Sequence, residues 1–206
     1  MRVLLDHSRS LQAVARRAAL LAPLLSLLFI FPVFAGEPPA VVYDTLVIVD
    51  FPSPACSGFW PALQSELQRS AIPHLLTGSV LWITRDEFQK GMEFKRAYQI
   101  LFHGDCGMGA PSSSQEQPRG PLGWVLMVDE QIPPFVYVDC DRVRQMLHRD
   151  LRDKTTAERR RILARAISRI VVHEMTHIVT QSSLHDASGL QKAQVTSSDL
   201  LGYKPD

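Results

Sequence analysis

Residues 155–181 read TTAERRRILARAISRIVVHEMTHIVTQ, and this stretch decides the fold. It contains no Gly or Pro. Apolar residues recur at Ile162, Leu163, Ala166, Ile167, Ile170, Val171 and Ile178, which is helical spacing. Thr155-Thr156-Ala157-Glu158 carries the S/T-x-x-E pattern of a capping box, so either threonine can begin the helix. The pattern therefore predicts one long helix ending near Gln181. Arg161, Arg165 and Arg169, also four apart, form a basic row that reads as a solvated face.

Near its end this helix carries His173-Glu174-Met175-Thr176-His177, an HExxH motif. Histidines four apart lie on one face, one turn from each other, so both imidazoles reach a common point. Glu174 is close enough to act on a water at that point. This is the core of a zinc peptidase site, with His173 and His177 as metal ligands and Glu174 as general base. Such a site needs a third protein ligand and an open fourth position. The longer pattern HExxHxxGxxH would supply a glycine turn and a third histidine, but here those slots hold Thr180 and Ser183. His185 follows two residues later, in a stretch rich in turn residues, where a loop folding back presents it to the metal. It is the leading candidate; Asp186 and Asp199 are the rivals, since a carboxylate also serves.

The run from His173 to His177, then seven residues, His185, and Ser188-Gly189-Leu190 resembles a group of small exported bacterial zincin-like proteins, similar to metzincins. Val138-Asp139-Cys140-Asp141-Arg142-Val143 is similar to a strand-then-helix segment of that group. The likeness is best over the C-terminal part of the chain. Asp186 stands where the group has serine, and Gln191 where it often has methionine. The resemblance implies a zincin-type fold, with an edge strand beside the metal helix on which substrate adds as a β-strand. Trp124–Val128 and Phe135–Asp139 are the candidates for that edge.

The rest of the chain sets the frame. It has 206 residues and a formal charge of +1, which argues for no electrostatic nucleic-acid partner. Residues 1–35 read as a secretory signal. Arg2, Arg9, Arg16 and Arg17 precede an uncharged apolar run from Ala18 to Phe34, and Val33-Phe34-Ala35 suits cleavage before Gly36. If uncleaved, the segment is a membrane anchor; either way residues 36–206 form one zincin-like domain outside the cytoplasm: secreted, periplasmic or on the cell surface. Three cysteines, Cys56, Cys106 and Cys140, leave one unpaired, with Cys106–Cys140 and Cys56–Cys106 equally open as pairings.

Strands are expected at Val41–Phe51, Ser79–Thr84, Tyr98–His103, Trp124–Val128 and Phe135–Asp139. Helices are expected at Phe59–Ser70 and from Asp141 to Leu151, and residues 104–123 read as an irregular loop. The fold class is α+β, a mixed sheet packed on helices. The functional expectation is a secreted zinc-dependent endopeptidase acting on a peptide or protein substrate. The alternatives are a catalytically inactive zinc-binding or interaction module of peptidase ancestry, and an interaction protein without metal. Substrate specificity and oligomeric state are not encoded in any motif of the chain.

Overall fold

The computed structural model describes residues 42–107, 120–187 and 192–202. The expected signal segment, most of the 104–123 loop and Ser188-Gly189-Leu190-Gln191 lie outside these residues. Among the described residues, no helix is long and apolar enough to cross a membrane.

Five strands form one mixed sheet: β1 (Tyr43–Asp50), β2 (Val80–Thr84), β3 (Phe94–His103), β4 (Gly123–Trp124) and β5 (Phe135–Asp139). Their spatial order is β2-β1-β3-β5-β4. The first four in that order run parallel, and β4 is antiparallel to β5 at the edge. β1, rich in β-branched residues, sits inside the sheet, where both neighbours satisfy its backbone. Val47, Val49, Ile100, Phe102, Val136 and Val138 alternate along their strands onto one buried core.

That core is closed by helices α1 (Trp60–Arg69) and α5 (Thr156–Thr180). α1 contributes Trp60, Leu63 and Leu67, at the three- and four-residue spacing of a single helix face. α5 buries far more than a stripe: Leu163, Ala166, Ile167, Ile170 and Val171 are joined by Ala164, Val172 and Met175 around its circumference. Burying each large aliphatic side chain contributes about 1.5–3 kcal/mol before entropy is counted. The short helices α2 (Ile72–Leu75), α3 (Cys140–Met146), α4 (His148–Leu151) and α6 (Ser197–Leu201) complete the layer. The helix expected from Asp141 to Leu151 is thus two pieces, broken at Leu147, whose backbone (φ −87°, ψ 7°) leaves the helical region.

The expected strand Trp124–Val128 is much shorter. Only Gly123 and Trp124 pair with β5, and Val128 bonds instead to Gln131 across a tight turn, with N···O distances of 2.8 and 2.9 Å. Asp129 and Glu130 both have positive φ, 49° and 62°, as a type I′ hairpin turn requires. The usual signature of that turn is Asn-Gly, so Asp-Glu gave no warning of it.

Two cross-links pin the sheet. Cys106, just after β3, is disulfide-bonded to Cys140 at the start of α3, and Cys56 is free and buried. At the opposite end, Asp44 accepts bonds from Lys95 Nζ (2.6 Å), Ser79 N (3.0 Å) and Ser79 Oγ (3.1 Å), joining β1 to both neighbouring strands. These bonds, led by that of Lys95, hold the Asp44 carboxyl down at about 2, from 3.8.

Two outcomes follow from these links. The disulfide closes a separation of 34 residues, so replacing both Cys106 and Cys140 with serine is expected to lower stability in denaturant titrations. The loss should be about 3–4 kcal/mol. Asp44 is ionised in the fold well below its unfolded pKa, so its contribution is complete above about pH 4 and disappears as pH falls through about 2. Asp44→Asn should therefore lower the urea midpoint at pH 7, with the gap to the native protein narrowing below pH 4.

Candidate metal centre

The helix that carries the motif is held at both ends. At its start, Thr155 N and Oγ1 donate to Glu158 Oε2 at 2.8 and 2.7 Å, and Thr155 Oγ1 accepts from Glu158 N at 3.3 Å. This is the full capping box, with Thr155 as the cap, and its hydrogen bonds hold the Glu158 carboxyl below the usual range. With 25 residues between the caps, the motif falls in the last turns of α5.

At its end, Gln181 adopts the left-handed conformation (φ 52°, ψ 36°). Glycine is the usual residue there, since a side chain costs roughly 1–2 kcal/mol in that region. The Gln181 side chain offsets this. Its Oε1 accepts from Ile132 N at 2.9 Å, and its Nε2 donates to Ile132 O at 2.9 Å and Ile178 O at 2.7 Å. One side chain thus reverses the chain and fastens the β4–β5 connection to the helix end. Nothing in the sequence marks Gln181 for this role.

The reversal returns His185 to the motif. The ligand-capable atoms of His173, His177 and His185 all lie within 4.8 Å of one another. His173 and His177 bring their Nε2 atoms to 3.1 Å, with rings nearly perpendicular at 82°. The His185 ring centroid lies 5.2 Å from that of His173 and 4.8 Å from that of His177. Three imidazole nitrogens bound tetrahedrally to zinc at 2.0–2.1 Å stand roughly 3.3 Å apart. The His173–His177 pair is already near that spacing, and His185, exposed on its loop, has the freedom to close.

The tautomer of His177 follows from its neighbour. Its Nδ1 lies 2.6 Å from the Ser182 carbonyl oxygen, which only accepts, so Nδ1 carries a proton and the neutral ring presents its Nε2 lone pair to the cluster. A backbone carbonyl orienting a ligand imidazole in this way is a recurrent feature of metal sites. The donor set, three imidazoles, suits zinc among other transition metals.

Glu174 lies beside the cluster and is buried, with Oε1 3.9 Å from His173 Nε2. Burial, which disfavours the charged form, pushes its carboxyl from 4.5 up to about 7. Gly123 of β4 packs directly on this turn of the helix. A Cβ there would stand 2.4 Å from Ile170 Cγ2 and 3.3 Å from Glu174 Cγ. Only glycine lets the edge strand come so near the motif, a role that its place in a loop-like stretch concealed.

The remaining candidates lie elsewhere. Of the two expected edge strands, β4 is at the edge and β5 is inside the sheet. Asp199 caps α6 through Thr196 and pairs with Lys192 at 2.7 Å; Lys192 first, then Thr196, hold its carboxyl down at about 2. Asp186 is exposed and not part of the histidine cluster. Two further histidines also lie outside the cluster: His103 stacks with Trp124 and Tyr137, at centroid distances of 5.5 and 5.8 Å, and His148 begins α4.

No family model, curated protein or solved structure matches the chain. The fold and site themselves define a mixed α/β protein with three histidines arranged so that they could hold a metal ion.

His185→Ala should weaken zinc binding at least about a hundredfold, since even partners outside the ligand set cost 10–100-fold. Competition titration against a chromophoric chelator measures this. Unchanged affinity would remove His185 from the ligand set.

Proposed function

We propose that the protein is an exported, zinc-dependent peptidase of zincin-like type. The observation that carries this reading is the buried Glu174 carboxylate beside three converging histidines. A site that only stored or sensed a metal would not need it. When bound, zinc would supply a Lewis acid and lower the pKa of a water.

His173, His177 and His185 would hold the ion with neutral imidazoles, the Ser182 carbonyl keeping His177 in the required tautomer. Glu174 would take the proton from the attacking water and later deliver it to the leaving amine. An extended substrate would lie along β4, the edge strand that Gly123 brings against the helix, with main-chain hydrogen bonds supplying affinity. The exposed side chains of Leu126, Met127 and Val128, just beyond β4, favour a substrate with apolar residues on that side.

The Cys106–Cys140 disulfide supports export, because such bonds persist in oxidising compartments. It agrees with the reading of residues 1–35 as a secretory signal.

The test is cleavage of a diverse peptide library by the zinc-loaded protein, beside Glu174→Gln at equal zinc occupancy. The variant is expected to lose at least about 10²–10⁴-fold in turnover while retaining zinc. Equal cleavage by both would show that Glu174 is not the base. Absence of cleavage by the zinc-loaded native protein would overturn the peptidase reading.

A further inference from the structure

A pocket lies between α1 and α5, apart from the histidine cluster. A cavity of about 200 Å³ is lined by Arg69, Arg165, Arg169, Glu66, Ser168 and Val172, among others. Three guanidinium groups against one carboxylate make its lining cationic. Glu66 is engaged, its Oε1 accepting from Arg69 Nη2 at 2.9 Å. The Ser168 hydroxyl donates to Arg165 O at 2.9 Å.

Arg169 differs from a surface arginine. It is half-buried, and its guanidinium meets no carboxylate, carbonyl or hydroxyl among the described residues. Its Nε is shielded from solvent without a hydrogen-bond partner. The end of α6 closes over it: a Cβ on Gly202 would stand 2.8 Å from Nη1. A buried donor left unpaired is unfavourable, more so when it carries charge. The basic row of α5 is therefore not uniformly solvated. Arg165 is exposed, whereas Arg169 is drawn under α6 beside the cavity.

We propose that this cavity binds an oxyanion, a carboxylate or a phosphate, through Arg169 and Arg165, with Arg69 at the rim. Both anions match the planar fork of donors that a guanidinium presents. The cavity has room for one such group and a short organic remainder. It is lined by neither the three histidines nor Glu174, so it stands whether or not the protein is a peptidase.

Isothermal titration of the purified protein with inorganic phosphate, and separately with acetate, at ionic strength matched with chloride, tests the site. Saturable one-site binding is expected for at least one of them. Arg169→Gln should weaken it at least about tenfold, and Arg165→Gln several-fold. Binding of phosphate alone assigns a phosphate site; binding of acetate as well assigns a carboxylate-accepting one. No saturable binding of either anion overturns the proposal. So does unchanged affinity in both variants, which would place the anion elsewhere, including at a metal. If Arg169→Gln fails to fold by circular dichroism, the exposed Arg165→Gln decides: unchanged affinity there rejects the site.

Discussion

Everything in this molecule depends on one packing contact, that of α5 against the inner face of the sheet. Leu163, Ala166, Ile167, Ile170 and Val171 meet a layer built by Val47, Val49, Ile100, Phe102, Val136 and Val138. The contact fixes how α5 is rotated about its axis. Once Ile170 faces the sheet edge at Gly123, Glu174 one turn later must face it too. The same rotation turns His173 and His177 toward the returning loop. Apolar burial, which is non-directional, thereby sets the aim of polar groups that carry no packing energy of their own.

The site is finished by hydrogen bonds rather than by burial. Gln181 takes an unfavourable backbone conformation and spends its whole amide on Ile132 and Ile178. The Ser182 carbonyl, released from the helix by that turn, is then placed to hold His177. The cluster is thus a product of the helix terminus, where backbone groups lose their intrahelical partners and become available to side chains.

Burial has opposite consequences for the two kinds of charge on α5. Glu174 can shed its charge, so desolvation raises its proton affinity to about 7. Arginine cannot do so, and Arg169 keeps its charge wherever it is placed. Set beside Gly202 at the end of α6, with no hydrogen-bond partner for its Nε among the described residues, it favours an anion in the cavity it lines. The other arginine pairs are exposed to differing degrees. Arg142 with Asp139 at 3.1 Å and Arg144 with Asp105 at 3.0 Å brace the start of α3 near the disulfide.

Local pattern was enough for the long helix, its capping box though not the choice of Thr155 over Thr156, the histidine pair with Glu174, and four strands to within a few residues. Each depends on neighbours in sequence: 3.6-residue periodicity, a cap three residues from its partner, β-branched runs bounded by turn formers. His185 was legible only as a histidine in a turn-rich stretch; its approach to the motif required the Gln181 reversal. The choice of Cys140 over Cys56 as partner of Cys106 was made by strand order, which brings the ends of β3 and β5 side by side. The parallel sense of β1, β2, β3 and β5, the short β4, the need for glycine at 123 and the half-burial of Arg169 were likewise tertiary decisions. They arise from contacts between residues far apart in the chain, to which no local spacing is sensitive.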